Sequence, residues 1–287
     1  VTPLTAGTAF TSWRADPVGI AAAVLITAGY LFLVRRTRDR GEPWPRRRTF
    51  VLVFAGSGSL LLITCSFLGV YAPQLRWVAV IQSGLLLLLV PPLIGAGAPV
   101  ALWKRWRPSA PGRLSRILRV PGLGPLVIIG TTSALVFTPW LGWSVSGPLP
   151  RAVTLVALLL AGLVLALPVT DEGAQTSSLA YAAMLGLGLI EFLLDALPGL
   201  VLRLNTHVSA AGHWTAQNLP GAPTPLADQH LAGDWLWFLA EAGDLPYLII
   251  LIAAWIRSDT REAARQDAEL DLIETDENGM MRPWWQN

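Results

Sequence analysis

The chain has 287 residues, of which 53% are hydrophobic and only 14% charged, with a mean hydropathy of +0.51; ordinary soluble domains carry roughly 25% charged residues, so a water-soluble globular fold is excluded. Lys and Arg number 21 against 19 Asp and Glu, a net charge of +2, and the basic residues fall in clusters, which argues for loops facing one compartment and against a nucleic-acid-binding surface. Cys65 is the sole cysteine and Lys104 the sole lysine, in an arginine-rich stretch, so a disulfide scaffold and a lysine-bound retinal are both excluded.

A hydrocarbon core about 30 Å thick is crossed by roughly 20 apolar residues in helix, because every backbone N–H must be paired internally. Seven segments qualify, approximately Pro17 to Val34, Thr49 to Tyr71, Trp77 to Trp103, Gly124 to Trp140, Arg151 to Val169, Ser178 to Leu202 and Asp234 to Ile256. The predicted fold is all-α, a polytopic bundle of seven transmembrane helices. Residues 1–16 form an extracytoplasmic segment, 17–256 the transmembrane domain, and 257–287 a cytoplasmic polar helix and tail. The first segment carries its arginines after the apolar stretch, the reverse of a cleaved signal peptide, and counts as a span.

Orientation follows from the positive-inside rule. Seven arginines lie between Arg35 and Arg48, six basic residues between Lys104 and Arg119, and four arginines beyond Ile256, whereas only Arg14, Arg76, Arg151 and Arg203 fall at the opposite ends. The N-terminus is therefore expected outside and the C-terminus inside, as an odd number of spans requires. The short loop Asp171 to Ser177 is assigned inside although it carries two acids and no base.

In the third span Pro91 and Pro92 interrupt an apolar run, with Gly95, Gly97 and Pro99 close behind. Proline removes a donor and clashes with the preceding turn, so a kink or break is predicted there, either lining a cavity or packed against neighbouring helices. Glycines at Gly56, Gly58, Gly186 and Gly188 read as close helix contacts.

Ionisable groups within a bilayer are costly and so are functional candidates. Glu191 and Asp195 share a face of the sixth span, and Glu241 and Asp244 lie on the seventh at comparable depth. A carboxylate cluster between these helices could hold protons or a cation, reach toward Arg203, or form satisfied helix–helix contacts. The three histidines, His207, His213 and His230, all fall in the loop between these spans, with Asn205, Asn218 and Asp228. Imidazole suits copper and zinc, but the spacing matches no compact metal signature, and ordinary loop hydrogen bonding is the competing reading. No span contains a histidine to hold a haem. Cys65 reads as a small buried hydrophobe. Phosphate-cradling glycine loops and serine–histidine pairs at recognisable spacing are missing from the sequence, so the chain reads as non-enzymatic. Beyond Ile256, Arg257 to Thr275 reads as a solvated polar helix followed by Trp284 and Trp285, suited to resting at the interface or meeting a partner.

Five stretches taken together resemble the CtaG-type family of cytochrome c oxidase assembly proteins. They are Trp13-Arg14-Ala15-Asp16-Pro17, the Tyr30 to Arg35-Arg36 end of the first span, Val90-Pro91-Pro92-Leu93-Ile94-Gly95-Ala96-Gly97-Ala98-Pro99, Asp228-Gln229-His230-Leu231-Ala232-Gly233, and Trp255-Ile256-Arg257-Ser258-Asp259-Thr260-Arg261-Glu262-Ala263, the last similar to actinobacterial members. The resemblance implies a seven-span protein of the plasma membrane, associated with copper delivery to the respiratory oxidase, with oxidase subunits or assembly intermediates as partners besides lipid. It also exposes a departure. Members carry a His-Met-x-Gln-His-Met pattern before the Pro-Pro break, the natural copper-ligand candidate, where this chain has Ala79-Val80-Ile81-Gln82-Ser83-Gly84. Only Gln82 survives, so copper ligation does not carry over to these positions. The expectations are a scaffold-type assembly factor with degenerate copper-site residues, an accessory subunit of the mature oxidase or a supercomplex, or a proton or cation transporter using the intramembrane carboxylates.

Overall fold

A computed structural model describes residues 3–106, 123–170, 178–215 and 219–271. The sequence expectations for 107–119, the 171–177 loop, Asn218 and the tail with Trp284 and Trp285 lie outside the described residues, as does the side chain of Glu191. Among the described residues every regular element is helical and there is no strand. The principal helices are α1 (Pro17–Asp39), α2 (Arg46–Tyr71), α3 (Arg76–Ala96), α4 (Leu123–Phe137), α5 (Pro148–Thr170), α6 (Tyr181–Leu204) and α7 (Pro225–Asp271). Six are long and apolar enough to cross a membrane. The fourth expected span is the shorter one: α4 has 15 residues, about 22 Å at 1.5 Å per residue, and Pro139 follows it before the short helix Trp140–Ser144.

Local chemistry fixes the ends of α1. The Asp16 carboxylate accepts from the Gly19 amide at 3.0 Å, Pro17 takes the first helical position where no donor is needed, and Arg36 and Arg38 in the last turn complement the helix dipole. Gly41, at φ +80°, then turns the chain toward α2.

Helix α3 is the axis of the bundle, since 72% of its most apolar stretch is buried against 22% for α1. It packs on α2, α5 and α7, while α6 lies along α7 and α4 along α5. Leu25 and Phe32 of α1, Ile190 and Leu193 of α6, and Ile249 and Ile256 of α7 point outward, as expected where lipid rather than water is the solvent.

Three helices are interrupted. In α2 a π-helical stretch, Val51–Ser57, precedes a bend at Ser66, whose backbone is extended (ψ −169°). In α3 the first segment ends at Leu88 and the second starts at Val90 with prolines in its first turn. Pro91 has no amide hydrogen to give the Leu87 carbonyl four residues back, and α5 closes on that oxygen through Gly162, where a Cβ would lie 2.1 Å from Leu87 O and 2.4 Å from Pro91 Cγ. The break is thus packed against a neighbouring helix. In α6 the interruption falls at Asp195, between segments ending at Leu194 and starting at Ala196. Beyond it α6 and α7 touch backbone to backbone at Gly199 and Gly233: a Cβ on either would sit 2.8 or 2.6 Å from the other's carbonyl oxygen.

Candidate functional site

The bend at Ser66 takes the carbonyls of Ile63, Thr64 and Cys65 out of regular helical pairing, and each is met by a donor from elsewhere in the chain. Gln82 of α3 donates its amide Nε2 to Ile63 O at 3.0 Å. Arg151 of α5 reaches Thr64 O through Nη2 at 3.4 Å. The backbone amide of Arg14 donates to Cys65 O at 2.9 Å, and its guanidinium to Gly69 O at 2.9 Å. Arg151 Nε also pairs with Asp16 Oδ2 at 3.2 Å, with side-chain exposures of 19% and 5%, so the carboxylate that caps α1 is neutralised from α5.

Between these groups lies a cavity of about 30 Å³, bordered by Asp16, Thr64, Gln82, Ser83, Ser144 and Arg151 among others. That volume suits one or two waters, which need polar partners of this kind. Its polar lining is carboxylate, hydroxyl, amide and guanidinium. These are hard donors plus a fixed positive charge, and the imidazole, thiolate and thioether that suit copper are missing from that lining. The residues at Gln82 therefore do not fit a copper ion. Ser83 also borders a second, mostly apolar cavity of about 20 Å³, which reaches Asp195.

Asp195 of α6 and Asp244 of α7 are both buried, at 4% and 6% exposure, and their side chains interact across the two helices. Glu241 stands apart, accepting from the Trp237 indole within its own helix. Arg203 pairs with Asp234 at 2.9 Å, each about half exposed.

The Asp228-Gln229-His230 stretch forms a separate lock at the start of α3. Asp228 accepts from the amides of Arg76 and Trp77 at 2.8 and 3.0 Å, capping α3 from the first turn of α7. Gln229, fully buried, accepts from Arg76 Nη1 at 2.9 Å and from the Ser209 amide at 2.7 Å, and donates to His207 O at 3.0 Å. Arg76, 1% exposed, completes the lock by donating to Ser209 O at 2.7 Å and Val136 O at 2.9 Å. One guanidinium thereby ties together α3, α4, α7 and the loop before α7. The histidine rings serve the same region separately: His230 Nε2 meets Asn205 O at 3.0 Å, His213 Nε2 meets Pro73 O at 2.7 Å, and His207 Nδ1 meets Thr206 Oγ1 at 3.1 Å. Among the described residues no three His, Cys, Asp or Glu side chains gather as a metal-binding group.

Asp16, Gln82 and the Asp228-Gln229-Gly233 stretch stand out in the sequence, whereas Arg151, Arg76 and the carbonyls at the Ser66 bend belong to no motif there. The available signal was charge: Arg151 and Asp16 are isolated opposite charges predicted at the same end of the bundle. Trp13 is 59% exposed, its indole donating to Phe10 O at 3.0 Å.

Apolar exterior, broken helices and buried polar locks define a polytopic helical membrane protein. Residues 28–258 match the cytochrome c oxidase caa3 assembly factor family (Caa3_CtaG), and the chain belongs to that family. It is similar to an uncharacterized protein of Mycobacterium leprae (strain TN), 26% identical over 296 residues covering 95% of this chain and 44% of the relative. An uncharacterized protein of Mycobacterium bovis is 25% identical over 301 residues, covering 98% of this chain and 45% of the relative. The chain thus spans less than half the length of these relatives. No solved structure matches it.

Proposed function

We propose that the protein serves cytochrome c oxidase assembly as a membrane scaffold, meeting oxidase subunits or assembly intermediates through its helices without holding copper before the Pro91–Pro92 break. The observation that carries this reading is the cavity at Gln82, where Ser83, Thr64 and the Asp16–Arg151 pair supply hard oxygen donors and a positive charge. In this reading the bundle crosses the plasma membrane seven times, with α4 as the short fourth crossing, residues 1–16 outside and 257–287 in the cytoplasm. The role is non-catalytic. His207, His213 and His230 act as loop ties, a reading supported by the separate partner of each ring.

Affinity purification from native membranes, with metal analysis of the same sample, tests the scaffold reading. Oxidase precursors without stoichiometric copper are expected. Copper that disappears on replacing His207 and His213 would overturn the reading, and stoichiometric mature oxidase would make the chain an accessory subunit instead. A second reading, a proton or cation path, draws on the buried Asp195–Asp244 pair and on Ser83, which borders both interior cavities. Proteoliposome flux that is present in the native chain and lost in Asp195→Asn/Asp244→Asn would establish it; no flux above empty liposomes would dismiss it.

A further inference from the structure

At the arginine-rich end of the bundle, the chain between α1 and α2 is held in a fixed shape. The Trp44 indole, 5% exposed, donates to Tyr30 Oη at 3.0 Å, and Tyr30 in turn donates to Gly97 O at 2.8 Å. Arg48 and Arg105 stack on Trp44, at 5.4 and 5.2 Å from the ring centroid. Arg105 donates to Pro43 O at 3.2 Å, and Arg40 to Trp106 O at 3.1 Å, which straps the loop to the chain leaving α3. These contacts leave an open pocket of about 420 Å³ with Arg38 on the α1 side, Arg46 on the α2 side, and Gly41, Glu42, Pro43 and Trp44 between them. Glu42 is the acid in that lining, and it lies 3.8 Å from Arg105.

The surface next to this pocket is apolar. Arg46, Phe50 and Phe54 follow one another at four-residue spacing, Phe50 and Phe54 are 61% and 64% exposed, and their rings stack at 4.5 Å. On the α1 side Leu31 and Phe32 are exposed, with Arg36 lying over Phe32 at 5.3 Å. The pocket with its two guanidinium groups thus lies at the ends of α1 and α2, whose next turns carry exposed aromatic and aliphatic side chains. A free anion would use the first feature only. An amphiphile with an anionic head and hydrocarbon tails uses both, and basic pockets beside transmembrane helices recognise such headgroups.

We propose that the pocket bordered by Arg38 and Arg46 is a binding site for an anionic phospholipid, the phosphate seated between the two guanidinium groups and the acyl chains lying along Phe50 and Phe54. The test uses the full chain in detergent, with native mass spectrometry counting adducts of phosphatidylglycerol and of phosphatidylcholine. The native chain is expected to retain phosphatidylglycerol at least fivefold more than phosphatidylcholine. Arg38→Gln/Arg46→Gln is expected to abolish that preference with the unfolding temperature unchanged. Arg35→Gln/Arg47→Gln removes the same charge at exposed positions outside the pocket and its apolar track and is expected to preserve it. Equal loss in both double variants would show diffuse attraction and overturn the site. Displacement of the lipid by 10 mM inorganic phosphate, or retention undiminished in Phe50→Ala/Phe54→Ala, would overturn the lipid as ligand. None of these readouts depends on oxidase assembly.

Discussion

Replacing Gly162 by alanine places a methyl group in the seam where α5 meets the break of α3. The new Cβ would stand 2.1 Å from the Leu87 carbonyl oxygen and 2.4 Å from Pro91 Cγ. Neither obstacle is the end of a flexible side chain: one is backbone and the other a ring locked into the first turn of a helix. The two helices must separate by about 1 Å, losing close packing at a cost of about 1–3 kcal/mol. With backbone and a locked ring as the obstacles the cost falls in the upper part of that range, about 2–3 kcal/mol; alanine regains about 1 kcal/mol of helix propensity, leaving a net loss of about 1–2 kcal/mol. At roughly 2–4 °C per kcal/mol for a chain of this size, the unfolding midpoint falls by about 2–8 °C. Gly130→Ala is the matched control, because a methyl group on that glycine of α4 would meet no atom within 4 Å, so it gains propensity without a clash. Thermal scans of both variants in one detergent, followed by intrinsic tryptophan fluorescence, compare them directly. A Gly162→Ala midpoint within 1 °C of the native chain would refute the claim that the α3 break is held by backbone contact with α5.

Asp16 acts both as the cap of α1 and as the partner of Arg151. Asp16→Ala is therefore expected to lower stability by about 2–4 kcal/mol, and Asp16→Asn, which keeps a capping oxygen, by about half as much, measured by the same scans; equal losses would show that the cap contributes nothing. Arg76→Met removes the donors to Ser209 O, Val136 O and Gln229 Oε1. It strips Ser209 O and Val136 O of this donor, while Gln229 Oε1 keeps the Ser209 amide, at an expected cost of about 3–5 kcal/mol. Size-exclusion profiles of solubilised membranes should show loss of the monodisperse peak, and a native-like profile would count against the lock.

The outline of the bundle was legible because membrane spans are written as long apolar runs, and the double proline marked the interruption of α3 directly. The length of α4 was less legible. Its apolar stretch reads on through Trp140, but Pro139 ends the helical pairing and the described helix stops at Phe137. The bend at Ser66 carries no proline and is set by tertiary partners, Arg14, Gln82 and Arg151, which are distant in sequence. Arg76 counted as a loop arginine under the charge rule, yet it is among the most buried side chains, because three carbonyl or amide oxygens replace its water. The carboxylates were read as one group from helical spacing and depth. Helical depth sets Asp195 beside Glu241 and Glu191 beside Asp244, and it cannot show that Trp237, one turn from Glu241, takes that side chain.

The residues that carry the family resemblance mostly build the irregular parts of the helices. Asp16 caps, Gln82 meets a carbonyl at the α2 bend, Pro91 and Pro92 break α3, and Asp228, Gln229 and Gly233 fasten α7. A variant at any of these positions therefore confounds folding with function, and a separating experiment must change a site residue that is not a fastener. Ser83 meets this condition: it is 7% exposed and borders both interior cavities. Ser83→Ala removes one hydroxyl, with an expected stability change of at most about 1 kcal/mol. If the protein works as a scaffold, recovery of oxidase precursors from native membranes should be unchanged, because the helix surfaces are intact. If protons pass between the Asp195–Asp244 pair and the Asp16–Arg151 cavity, the hydroxyl is the group on α3 common to the borders of both cavities, and proteoliposome flux should fall at least tenfold while precursor recovery holds. Loss of precursor recovery in a stably folded Ser83→Ala chain would refute the scaffold account, because it would make the interior of the bundle, rather than its surface, the part that assembly uses.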